Sequence, residues 1–291
     1  MSTKKILVPI DFSEQSLIAM EQSYNLTREY KAELTLLYVI EDDGFISKFF
    51  SKQQDDEIKK QIDSRLSQLA AEVTTKTGLK VSTLIARGAV YEKIVEVAEM
   101  INAYLIILGI NGMTTMKKRF IGSNALRVVR ESTVPVITIR GKQHRNGCHT
   151  IVLPLDLTKE TKEKVGFAIE IAKLYQGAVI KVVSVLFTTD EFLVNRLTRQ
   201  LHQVKAFIEK QGVECTSELL HGEKGEQSLA DKIINYAKAV EGDLLVIMTQ
   251  QEVDFTYRFI GSSAQEIINN SEVPVISIIP KLKRDYVFNP F

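Results

Sequence analysis

Apolar residues along this chain follow two alternating rhythms. Short continuous runs, Ile6 to Ile10, Leu34 to Ile40, Val81 to Ala86, Leu105 to Leu108 and Val134 to Ile139, read as buried strands. Between them the spacing turns helical: Ile58, Ile62, Leu66, Leu69 and Val73 recur every three or four residues and form one apolar stripe. Ile94, Val97, Ala98 and Ile101 form a second, and Leu126 and Val129 face inward from a helical segment over 124–131. A helix following the first strand is expected to be capped by Ser13, whose hydroxyl can accept from the unpaired N–H groups of the first turn. Strands alternating with amphipathic helices predict an α/β fold, a parallel sheet with helices on both faces.

The pattern then starts again. Ile6-Leu7-Val8-Pro9-Ile10-Asp11-Phe12-Ser13 is echoed, class for class, by Ile151-Val152-Leu153-Pro154-Leu155-Asp156-Leu157-Thr158. Phe120-Ile121-Gly122-Ser123 returns as Phe259-Ile260-Gly261-Ser262, and Val134-Pro135-Val136-Ile137 as Val273-Pro274-Val275-Ile276. The long helical stripe returns as Leu193, Leu197, Leu201, Val204 and Ile208. The reading is two tandem domains, residues 1–140 and 150–280, with a polar, glycine-flanked linker over 141–149 and a tail over 281–291. Pro135 and Pro274 are placed inside the last strand of each copy, where a missing N–H marks an edge. An uncovered edge invites pairing, so the two copies, or two chains, are expected to meet there. The segment Glu41 to Gln54, with Phe45, Phe49 and Phe50, lacks a counterpart of similar length in copy two and reads as a surface loop or a lid.

Composition narrows the function. With 37 basic and 36 acidic residues the charges nearly cancel, which argues against nucleic acid or a membrane surface as partner and favours a small ligand. The two cysteines, Cys148 and Cys215, stand far apart, and the apolar run after Lys5 is short for a signal peptide, so a reduced, cytoplasmic location is expected. His144, Cys148 and His149 match no zinc spacing.

The candidate chemistry lies at Gly109-x2-Gly112-x9-Gly122-Ser123, which leaves the strand Leu105 to Leu108 and opens the fourth helix. Glycines there let the backbone approach a phosphate, and the helix N-terminus offers free N–H groups; the other reading is a simple glycine turn. Asp11, at the end of the first strand, either accepts hydrogen bonds from a purine amino group or ribose, or caps the following helix. Thr114, Thr115, Lys117 and Lys118 sit between the glycines as phosphate partners or as solvated loop, whereas Arg119 has its counterpart in Arg258 and reads as structural.

These residues together resemble the universal stress protein family in its tandem form, over nearly the whole chain. The family's G-x2-G-x9-G-[ST] is met by Gly109, Gly112, Gly122 and Ser123, and its strand-end aspartate by Asp11 after Val8-Pro9-Ile10. The resemblance implies two Rossmann-like domains of the adenine nucleotide alpha hydrolase-like kind, each with five parallel strands in the order 3-2-1-4-5. It implies ATP, with Mg²⁺, held by Pro9, Ile10, Asp11 and Ser13, by the backbone of Val39 at the adenine, and by Leu108, Gly109, Gly112, Gly122, Ser123 and Asn124. Copy two keeps Asp156, Gly261 and Ser262 but carries Met248 and Gln251 at the first two glycine positions, and is expected to be mainly structural. Copy one departs at Tyr104, where the family has aspartate and copy two has Asp243, a position judged too far from the glycines to matter for binding. The function expected is that of a nucleotide-dependent stress regulator acting on a protein partner, with the copies paired within one chain or between chains. The alternatives are a slow hydrolase or nucleotide-transfer enzyme, and a scaffold whose second domain takes another ligand. The sequence contains no H-x-G-H, S-G-G-x-D-S or G-x4-G-K-[ST] motif.

Overall fold

Ten strands line up in a single sheet in the order β3-β2-β1-β4-β5-β10-β9-β6-β7-β8. The structure, a computed structural model, describes residues 3–41, 52–110, 123–142, 145, 147–155, 161–223, 225, 227–249 and 260–279, with backbone only for 52–55, 123 and 161–162. In the first unit the strands are β1 (Lys5–Pro9), β2 (Glu33–Ile40), β3 (Val81–Arg87), β4 (Leu105–Gly109) and β5 (Val136–Ile139). The helices between them are α1 (Glu14–Glu29), α2 (Lys52–Thr77), α3 (Val90–Met100) and α4 (Ser123–Glu131). The second unit repeats this with β6 (Thr150–Pro154), α5 (Thr161–Leu174), β7 (Val179–Leu186), α6 (Glu191–Lys210), β8 (Glu214–His221), α7 (Leu229–Ala239), β9 (Leu244–Met248), α8 (Ser262–Asn270) and β10 (Val275–Ile278). Within each unit the order is 3-2-1-4-5, as the family resemblance implies, and every pairing is parallel, as the alternation of strands and helices predicts.

Sheet burial on both faces explains why the strands read as continuous apolar runs rather than alternating ones. Ile6 and Val8 pack beneath α1 and α5 in one core, whereas Leu7, Leu37 and Ile106 pack beneath α3 and α4 in the other. The α2 stripe is buried at Leu66 and Val73 and reaches the surface at Ile58. Ser13 caps α1 by accepting from the Ser16 N–H at 3.3 Å.

The two units meet through β5 and β10, which pair antiparallel from Val136 to Thr138 against Val275 to Ser277. Each would be an edge if its unit stood alone, and each closes the other's edge. The prolines are not inside these strands: Pro135 and Pro274 immediately precede them. There the missing N–H costs no ladder bond, while the proline carbonyls still accept from Ile106 at 3.0 Å and Leu245 at 2.9 Å. Because this central pairing is antiparallel, the carboxyl ends of the two units' strands open on opposite rims of the sheet.

Candidate functional site

In the first unit β1 and β4 are neighbours, and the chain leaves β1 toward β2 and leaves β4 toward β5 on opposite sides. This is the point where strand order reverses, and a crevice opens past the carboxyl ends. Asp11 lies there in the β1–α1 turn, solvent-exposed, its Oδ1 accepting from the Ser13 N–H at 2.9 Å. Partial burial pushes its carboxyl upward, but hydrogen bonds from Ser13 and Ser16 and from the backbone of Ser13 and Asp11 outweigh that and hold it below the usual carboxylate value. The capping reading of Asp11 therefore has a bond behind it. That bond also fixes an ionised carboxylate at the crevice.

Phe12 sets the shape of this turn. Its φ is 60°, a left-handed conformation uncommon for a bulky residue. The ring is held between Tyr38, with centroids 5.5 Å apart, and the guanidinium of Arg65 on α2 at 4.0 Å. This stack was not foreseen from the sequence, because it joins three distant elements whose mutual approach no local pattern encodes.

On the other side of β1, alternation along β2 decides which way Val39 faces. Ile10 donates to the Leu37 carbonyl at 2.8 Å, and Gly88 donates to that of Ile40 at 3.0 Å. Odd-numbered β2 residues thus point their backbone groups toward β1, and Val39 does so just past the place where β1 ends. Its N–H and C=O face the crevice. Gly88, with φ of 140°, shapes the turn beside it; the repetition of Arg87-Gly88 as His221-Gly222 at the ends of β3 and β8 is the signal that could have found it.

Gly109 ends β4, and the structure gives it a packing duty besides its place in the candidate motif. A Cβ at Gly109 would stand 2.2 Å from the Gln15 carbonyl oxygen and 2.9 Å from the Ser16 nitrogen, so the first turn of α1 rests directly on this glycine. The loss of the equivalent glycine to Met248 does not show that it is dispensable for folding in the first unit.

Pro9, Ile10, Asp11, Ser13, Val39, Leu108 and Gly109 are thereby brought to one rim, with the N-terminus of α4 at Ser123 and Asn124 beginning the helix that follows β4. Gly112, Gly122, Thr114, Thr115, Lys117, Lys118 and Arg119 lie outside the described residues, as do Asp156, Gln251, Phe45, Phe49, Phe50 and the tail. In the second unit, Met248 replaces Gly109, Gly261 donates to the Thr249 carbonyl at 3.3 Å, and the Phe187 ring packs against Gly222, where a Cβ would meet it at 2.4 Å. Phe187 stands two residues beyond Val185, the counterpart of Val39. Among the described residues no group of three or more His, Cys, Asp or Glu is placed to hold a metal ion, and no helix is long and apolar enough to cross a membrane.

Comparison with known proteins identifies the family and the fold. The sequence model of the universal stress protein family matches residues 2–140 and again 147–278. A universal stress protein of Methanocaldococcus jannaschii is 30% identical over 139 residues, 47% of this chain and 82% of the relative. The crystal structure of a universal stress protein from Archaeoglobus fulgidus superposes with a TM-score of 0.77 at 19% identity, covering 97% of this chain and 100% of that one. Another structure from Archaeoglobus fulgidus, solved in complex with dAMP, is 28% identical and covers 44% of this chain and 96% of its own, with a TM-score of 0.37.

Proposed function

The chain belongs to the universal stress protein family, with two family units in tandem, and on that premise we propose that its first unit is an ATP site and its second unit mainly structural. The observation that carries this reading is the convergence at the β1/β4 switch point of an ionised Asp11, the outward-facing backbone of Val39 and the close-packed Gly109. Val39 offers one donor and one acceptor of the kind an adenine edge requires. Asp11 accepts from ribose hydroxyls, and the N–H groups opening α4 at Ser123 and Asn124, with Gly112 and Gly122, receive the phosphates and the Mg²⁺ they carry. In the second unit Met248 and Phe187 occupy the corresponding rim with side chains.

Binding energy at such a site stabilises whichever conformation holds ATP, so the bound state is the signal and a partner protein in the cytoplasm its reader. The chain acts as a nucleotide-dependent regulator rather than a turnover enzyme. Calorimetry with ATP and Mg²⁺ tests this: one site per chain, weakened roughly 10-fold to 100-fold by Asp11→Ala or Gly112→Val. Two equivalent sites, or unchanged affinity in both variants, would refute it. Phosphate release well above background over hours would move the reading to a hydrolase.

A further inference from the structure

The antiparallel pairing of β5 with β10 relates the two units, so each interfacial position has a counterpart. Lys4, Tyr30 and Tyr104 of the first unit correspond to His149, Tyr175 and Asp243 of the second, and Glu170 on α5 corresponds to Asn25 on α1. One of the two resulting clusters is filled by side chains. Lys4 Nζ lies 3.1 Å from Glu170 Oε1 and sits 4.1 Å and 3.7 Å from the ring centroids of Tyr30 and Tyr104, while the Tyr104 hydroxyl also donates to Glu170.

The other cluster is built from smaller groups. Asp243 stands where Tyr104 does and Asn25 where Glu170 does, and the space between the units becomes a cavity of about 70 Å³ walled by Asn25, Arg145, Cys148, Tyr175 and Asp243. The Asn25 Oδ1 is buried against it without a hydrogen-bond partner among the described residues. Through Gln22, Asn25 and Arg145 the cavity adjoins a groove of about 300 Å³, also lined by Glu21, Tyr24, Arg28 and Lys76. That is the lower end of the size range of small-molecule sites.

Charge selects the ligand. Among the described residues the groove holds three cationic side chains, Arg28, Lys76 and Arg145, against the carboxylate of Glu21, which stands 3.9 Å from Lys76. The Arg145 side chain is only 11% exposed and lies 4.0 Å from Asp243. That carboxylate already accepts from the N–H groups of His149 and Thr150 at 2.8 Å and 3.0 Å. We propose that this interdomain pocket binds a small anion carrying a phosphate or carboxylate group, at a site separate from the nucleotide crevice. The anionic group meets Arg145 and Arg28, the Asn25 Oδ1 accepts from a hydroxyl that the ligand carries, and because α1 and the linker both contribute, its binding ties the two units together.

Calorimetric titration of the full chain with inorganic phosphate and with citrate, at constant ionic strength against a sodium chloride control, tests this. Saturable binding of either anion at one site per chain is expected; phosphate or citrate binding more tightly tells which anionic group the site prefers. Arg28→Gln, at an exposed position, and Asn25→Asp, which keeps the side-chain volume but sets a carboxylate in the pocket, should each weaken binding roughly 10-fold or more. Asp11→Ala, in the other crevice, should leave it unchanged. Heats no larger than the chloride control, affinity in both pocket variants unchanged from that of the unaltered chain, or loss of binding in Asp11→Ala would overturn the proposal.

Discussion

Gly109→Ala concentrates the packing argument in one methyl group. The added Cβ would lie 2.2 Å from the Gln15 oxygen and 2.5 Å from its carbonyl carbon, and both are backbone atoms inside the first turn of α1. No flexible side chain can swing aside. Relief requires the start of α1 to move away from β4 by roughly 1 Å, which loosens the Ser13 cap and the contacts beneath Ala19 and Met20. Overpacking of a well-packed contact costs typically 1–3 kcal/mol, and a backbone obstacle belongs at the upper end, so about 3 kcal/mol is expected. Urea unfolding followed by circular dichroism reads this as a midpoint lowered by about 1 M, for a slope of about 3 kcal/mol per molar. Met248→Ala, at the equivalent place in the second unit, removes volume instead and should cost about 1–3 kcal/mol through a different route, the loss of packed atoms. A Gly109→Ala protein with an unchanged midpoint would refute the claim that α1 rests on this glycine.

Three further outcomes follow from the structure. Tyr104→Phe removes the hydroxyl that donates to Glu170 and should lower stability by about 1 kcal/mol in a thermal melt, with Glu170→Gln in the same background adding only the loss of the half-exposed Lys4 ion pair, about 1 kcal/mol or less. Asp11 has its folded-state carboxyl below the ordinary value of 3.8, so its contribution to stability is present above that pH and is lost as the pH falls through the lower folded value. Acid titration of Asp11→Asn should therefore lose part of the wild-type slope below about pH 4. Burial pushes the Cys215 thiol up to about 12 from 9.0, and raises that of Cys148 as well. Both thiols should resist a thiol reagent at pH 8 until urea exposes them, and stability that is full below about pH 9 should decline as the pH rises above it, less steeply in Cys215→Ala.

Periodicity and self-similarity carried most of the architecture. The strand runs and the Leu66/Val73 and Leu201/Ile208 stripes lie where the alternation placed them, since burial on two sheet faces leaves a strong mark on the order of residues. The edge prolines pointed to the β5–β10 seam although each lies one residue outside its strand. The candidate rim was legible where backbone chemistry is written in residue type: Asp11 at a strand end, Gly109 leaving β4, Ser13 at a cap. What could not be read was anything depending on distance between units. Tyr104, set aside in sequence as remote from the glycines, proves to clasp Glu170 of the second unit, because the two-fold seam brings β4 against α5. Gly109 looked like a residue kept for a ligand, and the fold gives it a packing duty as well. Sequence by itself determined the two units, their alternation of strands and helices and the residues at the strand ends, which follow from local pattern and repetition, while the strand order came from the family resemblance. Only the tertiary structure decided that the units share one sheet, that their crevices face opposite rims, and that one interfacial cluster closes on a lysine while its counterpart opens as a cavity beside a cationic groove, because those depend on which side chains meet across space.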